Sequence, residues 1–257
     1  MTYLFARENA ETLARFLAAR VLLAFDFDGT LAPIVADRAT ARMRRRTVRL
    51  LADVCALYPC AVISGRHPAD LLARLEGAPV RHAIGNHGIE PGTVTPGLVT
   101  EIAAARRSLE EALAAHEGVS IEDKTYSLAV HYRHAPDRRH ARGAIAQALT
   151  RLRGALRVSA GKLVYDVVGA YAPHKGTALE RLSAAEGAEA SVYVGDDATD
   201  EDVFRNADPT RVLPIRVGRS RTSAARYYVR DQRELDVLLA LAVRSRPGPT
   251  GGLPGRP

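Results

Sequence analysis

Residues 21–33 read VLLAFDFDGTLAP, an almost unbroken apolar run that ends on two acids, Asp26 and Asp28. Strand-length segments that are apolar at nearly every position are those buried on both faces of a parallel sheet, whereas a half-exposed strand alternates. The acids therefore fall at the carboxyl end of a central strand, the rim on which open α/β sheets bind their ligands. Two carboxylates in one low-dielectric spot oppose each other's ionisation. A divalent cation is the economical remedy.

The same grammar extends to either side. Helical periodicity over residues 8–19 precedes the strand. An arginine-rich helix is predicted over 40–57, with Met43, Val48, Leu51 and Cys55 toward the core. The strand CAVIS (60–64), a helix opened by Pro68 and a short strand at 82–84 follow. From about residue 92 the pattern becomes helix (100–116), paired strands (VSIEDK, SLAVHYR), helix (137–152) and paired strands again (LRVS, KLVYDVV). Beyond Lys175 the first grammar resumes, with a helix at 176–186, the strand SVYVG, a short helix after Asp200, the strands LPIRV and YYV, and a closing helix at 232–243. The expectation is an α/β fold: a doubly wound, Rossmann-like parallel-sheet core of residues 1–91 and 172–244, with an α+β domain of residues 92–171 inserted. The Gly/Pro-rich stretch 245–257 reads as a disordered tail.

Composition narrows the partners. At 47% hydrophobic and 25% charged the chain is globular. It lacks an apolar run of the ~18 residues that a membrane helix needs, and its acid-bearing N-terminus does not read as a signal peptide. A cytoplasmic monomer that binds neither membrane nor nucleic acid is expected. The net charge is +7, but the only dense basic run, Arg42, Arg44, Arg45, Arg46 and Arg49, reads as a solvated helix face. Of 36 basic residues only Lys124, Lys162 and Lys175 are lysines. A compact ammonium is not interchangeable with a guanidinium, so these three merit inspection. Cys55 and Cys60 read as small apolar residues.

Other strands also end in polar residues: Ser64 and Arg66 after CAVI, Asn86 and His87 after AIG, Asp196 and Asp197 after SVYVG. Oxygen ligands without a Cys or His requirement suit Mg2+, which leaves coordination positions for a phosphate. A carboxylate can also attack phosphorus, and Lys175 at a helix start adds a cation to a helix N-terminus. Phosphoryl transfer needs chiefly such positioning and neutralisation.

DFDGTLAP, SGR, the K-G before a helix and GDDATDED, in that order, resemble the four motifs of the haloacid dehalogenase-like phosphatases. That resemblance implies Asp26 as nucleophile and Asp28 as general acid and then base. It implies Mg2+ held by the Asp26 carboxylate, the Asp28 carbonyl and Asp196 with Asp200 in support, and the phosphate held by Thr30, Ser64 and Lys175. With GNHGIE, E-x-K in IEDK and GK in SAGKLVYD, the chain resembles the trehalose-6-phosphate phosphatase family, whose inserted domain is a cap. The likeness implies a phosphorylated sugar as substrate. Glu122, Lys124, Arg133, Lys162 and Asp166 would reach it from the cap, and Arg66, Asn86 and His87 from the core. One stretch departs from the family pattern: Asp166, Val167, Val168 and Gly169 stand where Glu, an aliphatic residue, Arg and Pro are usual. Another phosphosugar, including a phosphorylated pseudo-disaccharide, is the competing substrate. A catalytically idle binding module is the competing class, opposed by the intact Asp26, Asp28, Lys175 and Asp196.

Overall fold

The computed structural model describes residues 1–89, 97–152, 156–161 and 163–246. Lys162, the junction near residue 91 and the segment 247–257 lie outside the described residues. The strands are β1 (Thr2–Tyr3), β2 (Val21–Phe25), β3 (Cys60–Ile63), β4 (His82–Ile84), β5 (Ser120–Asp123), β6 (Ser127–His131), β7 (Leu156–Gly161), β8 (Val164–Gly169), β9 (Ala190–Gly195), β10 (Val212–Val217) and β11 (Tyr227–Val229). The helices are α1 (Ala10–Ala18), α2 (Arg45–Cys55), α3 (Pro68–Arg74), α4 (Leu98–Leu113), α5 (Arg138–Thr150), α6 (Lys175–Ala185), α7 (Glu201–Phe204) and α8 (Gln232–Ser245).

Seven strands form a wholly parallel sheet in the order β1-β11-β10-β9-β2-β3-β4. All five residues of β2 are buried. Val21, Leu23 and Phe25 pack with α1, α2, α3 and α8 on one face, and Leu22 and Ala24 with α6 and α7 on the other. That two-sided burial is why the strand is apolar throughout. The chain runs outward from β2 through β3 and β4, then resumes at β9 on the other side of β2, so the switch point of the sheet lies between β2 and β9.

The inserted unit is an antiparallel sheet in the order β5-β6-β8-β7, covered on one face by α4 and α5. Side chains alternate across it. Ile121, Leu128, Val130, Tyr165 and Val167 pack with the helices, whereas Glu122, His131, Val164 and Asp166 line a cavity toward the core. Gly169 belongs to this packing: a Cβ there would lie 2.6 Å from Leu98 Cδ1 and 3.3 Å from Glu101 Oε2.

Two local expectations are corrected, and one strand, β1, was not expected. Helix α2 starts at Arg45, because residues 38–40 form a separate 3-10 turn capped by the Asp37 carboxylate and Arg44 is extended. Arg42, Met43 and Arg44 thus precede the helix, and its buried face is Thr47, Leu51 and Val54, with Val48 and Cys55 half-buried at its flank. Thr47 is tolerated there because its hydroxyl donates to Asp236 at 2.7 Å. The segment expected to be disordered from 245 still has Ser245 within α8. Strand β1, two residues at the sheet edge, is too short to show a period. Among the described residues no helix is long and apolar enough to cross a membrane.

Candidate active site

The switch point gathers the acids. Asp26 follows β2 and its amide donates to Val194 of β9, while Asp196 follows β9. Carboxylate oxygens of Asp26, Asp196 and Asp200 lie within 4.8 Å of one another. The turn after β2 makes room for this approach: Gly29 has φ +88°, and a Cβ on it would stand 2.1 Å from Asp196 Oδ2. Thr30, fully buried, donates to Asp196 Oδ1 at 3.3 Å.

Lys175 is the first residue of α6, whose amides at Gly176 and Thr177 donate to the His174 side chain. Its Nζ lies 2.7 Å from Asp26 Oδ1 and 2.8 Å from Asp200 Oδ1. Asp200 also accepts the Tyr193 hydroxyl at 2.7 Å and the amides of Asp196 and Asp197 at 2.8 and 2.9 Å. These four donors fill the lone-pair positions of one carboxylate. Asp200 is therefore a brace that shapes the loop carrying Asp196. From the other side Arg216 donates to the carbonyls of Asp196 and Asp197.

One ammonium serves two buried carboxylates, Asp26 and Asp200, and the half-buried Asp196 stands beside them. Burial pushes the Asp26 carboxyl well above its ordinary range; Lys175 opposes this, but Asp200 and Asp197 add to it. Asp196 is pushed up by burial and then by Asp26, Asp200 and Asp197. Burial would lower Lys175, yet Asp200 and Asp26 hold it well above its usual range. Fully ionised, the cluster of Asp26, Asp196, Asp200 and Lys175 carries an excess of two negative charges. Hard oxygen donors with that excess fit a divalent cation such as Mg2+.

Asp28 is held apart from this cluster. Arg66 grips it with two hydrogen bonds, Nε to Oδ2 at 2.7 Å and Nη2 to Oδ1 at 2.6 Å, and Arg38 reaches it at 3.5 Å. Arg66 also pairs with Asp70 at 2.5 Å and stacks over the Phe27 ring at 5.3 Å. A planar fork matched to a carboxylate in this way fixes orientation as well as charge.

Above the acids opens a cavity of about 860 Å3, bounded by core residues including Asp26, Asp28, Ser64, Arg66, His87 and Lys175, and by Glu122, Arg133 and Asp166 from the inserted unit. Glu122 is pulled down to about 2 by the hydrogen bond with His131, against burial, with Lys124 and Arg38 assisting. Asp166 lies below the ordinary carboxylate range although burial would raise it, because His87, Lys124 and Arg38 outweigh burial. His87 adopts φ +60°, lies 3.4 Å from Asp166 Oδ1, and has both ring nitrogens buried without a hydrogen-bond partner.

Four sequence-predicted site residues among the described ones are not on the cavity wall. Thr30 and Asp200 lie beneath it, against Asp196 and Lys175, while Asn86 and Lys124 are sealed in the seam between core and inserted unit. Lys162 lies outside the described residues. Tyr193, Arg38, His131 and Arg216 were not among the residues the sequence singled out. Only Tyr193, a phenol in a mostly apolar strand two residues before GDD, carried a legible signal.

The trehalose-phosphatase family pattern matches residues 24–233. The trehalose-phosphate phosphatase of Mycobacterium avium is 35% identical over 209 residues, 75% of this chain and 53% of the relative. That of Mycobacterium tuberculosis H37Rv is 33% identical over 208 residues, 72% of this chain and 51% of the relative. The chain thus spans about half the length of the curated relatives it matches. Among solved structures, the C-terminal domain of Candida albicans trehalose-6-phosphate phosphatase superposes with a TM-score of 0.78 at 23% identity, covering 92% of this chain and 97% of that one. Aspergillus fumigatus trehalose-6-phosphate phosphatase gives 0.65 at 25% identity, covering 96% and 100%. Its fold is that of the haloacid dehalogenase-like phosphatases with an inserted cap, and the chain belongs to the trehalose-phosphatase family.

Proposed function

We propose that this chain is a Mg2+-dependent phosphatase that hydrolyses trehalose 6-phosphate through a phosphoaspartate on Asp26, acting as a cytoplasmic monomer. We assign the core to residues 1–91 and 172–244 and the cap to 92–171. The observation that carries the reading is the crowding of Asp26, Asp196 and Asp200 around one lysine at the floor of a cavity roofed by the cap. Family membership supplies the substrate class.

The Asp26 and Asp196 carboxylates and the Asp28 carbonyl would hold Mg2+, with Asp200 bracing the loop from behind. When bound, the ion neutralises the phosphate oxygens and the attacking carboxylate. Lys175 and Ser64 orient the phosphoryl group, and Thr30 orients Asp196. Lys175 occupies one oxygen of Asp26. The other forms the bond to phosphorus as the bond from phosphorus to the sugar oxygen breaks, and Asp28 delivers a proton to that leaving oxygen. Asp28 then takes a proton from water as the water attacks phosphorus, the bond to Asp26 breaks, and inorganic phosphate departs. Arg66 and His87 from the core and Glu122, Arg133, Asp166 and Lys162 from the cap would contact the phosphorylated sugar.

A second reading keeps the chemistry and changes the sugar. Val168 shares the site-facing side of the cap sheet with Asp166, and its register partner there is Arg157. The cation of the family pattern is thus missing from one strand while another sits on its neighbour, an arrangement that suits a related phosphorylated disaccharide. Phosphate release with Mg2+ from trehalose 6-phosphate, glucose 6-phosphate, other sugar phosphates and cyclitol analogues decides between the two. Full activity in excess EDTA, on protein verified as metal-free, would overturn the metal-dependent mechanism.

A further inference from the structure

One wall of the cavity belongs neither to the cap nor to a strand end. Residues 34–39, in the loop between β2 and α2, line it. The backbone of this loop is fixed from the core: Arg66 Nη2 donates to the Arg38 carbonyl at 2.9 Å, Arg74 Nη1 to the Ala41 carbonyl at 3.1 Å, and the Asp37 carboxylate accepts the Ala39 amide at 2.9 Å. Its side chains face the cavity. Ile34 is 48% exposed on the wall, and the Arg38 guanidinium reaches out from it, with Nη2 3.5 Å from Asp28 Oδ2 and Nη1 3.9 Å from Glu122 Oε2.

Both contacts stand at or beyond the outer limit of a hydrogen bond, and among the described residues no other acceptor takes a proton from this fork. A guanidinium has five N–H donors, so most of them are available to a ligand in the cavity. The two carboxylates decide which ligand. They already balance the positive charge of Arg38, so a second anion gains little there, whereas a hydroxyl can accept from the fork and donate to either carboxylate. A donor and acceptors side by side, with an apolar side chain on the same wall, match the hydroxyls and C–H face of a sugar ring. Arg38 also adds to the field that keeps the cap carboxylates ionised, behind His131 and Lys124 for Glu122 and behind His87 and Lys124 for Asp166.

We propose that Arg38 is a further specificity-determining residue, which donates to hydroxyls of the substrate sugar between Asp28 and Glu122. The assignment deepens the phosphatase reading above and rests on it. Because the loop is held by its backbone, the Arg38 side chain can be exchanged with the loop intact.

The test compares Arg38→Gln with the wild type, alone and in a Glu122→Ala background. The substrates are p-nitrophenyl phosphate and trehalose 6-phosphate, or whichever sugar ester of the panel above the wild type cleaves best. The ratio of kcat/KM on the sugar ester to that on p-nitrophenyl phosphate should fall about 10- to 100-fold, the worth of a hydrogen bond from a charged donor. In the Glu122→Ala background it should fall again, by at least about threefold. Arg38→Lys, which keeps the charge and loses the fork, should lower the ratio by less, and it serves if Arg38→Gln does not fold. An unchanged ratio in both variants overturns the assignment. So do equal losses on both esters, because Arg38 would then act through Asp28, and so does the lack of a further loss in the Glu122→Ala background, because it would then only orient Glu122. A wild type that releases phosphate from no sugar ester would instead refute the phosphatase reading itself.

Discussion

Removing a carboxylate from the acidic cluster should stabilise the protein while disabling it. In Asp196→Asn the amide keeps the shape and still accepts from Thr30, but one charge is gone. Two carboxylates 4.8 Å apart, the outer limit of the cluster, repel by about 3.5 kcal/mol at an effective dielectric constant of ~20. Part of that is already relieved by protons taken up on Asp26 and Asp196, so a net gain of about 2 kcal/mol is the expectation for metal-free protein. For a chain of this size that raises the melting midpoint by roughly 4–8 °C. The pH dependence follows from the raised carboxyls. At a given pH the fold holds protons that the unfolded chain has released, so their contribution to stability is fully present below the unfolded value of about 3.8 and is lost as pH rises through the folded values. Glu122 and Asp166, pulled down, act oppositely below about pH 4.5, where their stabilisation fades as pH falls. His174, lowered by burial, acts in the opposite sense between about pH 5 and 8, so in a calorimetric scan in EDTA it is the difference between proteins that isolates the cluster: the wild-type midpoint should fall with rising pH relative to that of Asp196→Asn, and added Mg2+ should raise the wild type alone. A lower midpoint for Asp196→Asn in EDTA, or equal stabilisation of both proteins by Mg2+, would refute the account of the cluster as a charge excess that awaits a cation.

Asp26→Asn should abolish phosphate release and leave the far-ultraviolet circular dichroism unchanged; substantial turnover by freshly purified, undeamidated protein would exclude the phosphoaspartate. Lys175→Ala should depress hydrolysis of trehalose 6-phosphate and p-nitrophenyl phosphate alike, whereas Glu122→Ala should cost about 5- to 150-fold in kcat/KM on the sugar ester alone, and equal losses would show that Glu122 does not read the sugar. Val168→Arg, at a site 6% exposed with Arg157 alongside in register, should lower the melting midpoint by several degrees through an unpaired buried charge, worth about 1–3 kcal/mol or more; an unchanged midpoint with altered sugar preference would make the position a specificity element.

The core was legible because its signals are local. β2 is apolar on both faces, and Asp26, Ser64, Lys175 and Asp196 each stand at a strand end or helix start that the chain itself marks. The cap was legible as alternation, which places Glu122 and Asp166 on one face without saying what faces them. The resemblance assigns Lys124 and Asn86 to the sugar, whereas the packing of cap on core, a long-range fact, places both in the seam and off the cavity wall. Arg38 and Arg216 were invisible for a related reason, since in an arginine-rich chain nothing local separates a guanidinium held by a carboxylate or a loop carbonyl from one in solvent. Gly169 reads as an absent proline until α4 is seen packed against it.

Placing the cap between the halves of the core also governs the order in which the sheet can close. β2 pairs Leu23 with Cys60 of β3 soon after both emerge from the ribosome, but on its other side Val21 waits for Ala190. At ~5–20 residues per second the hydrogen-bonding edge of the most apolar strand stands open for roughly 10–35 s of synthesis. The cap, whose strand pairs all lie between Ser120 and Gly169, closes over short loops in the meantime. Any fragment that ends before Ala190 keeps VLLAF as an unpaired edge, the kind of surface on which chains aggregate.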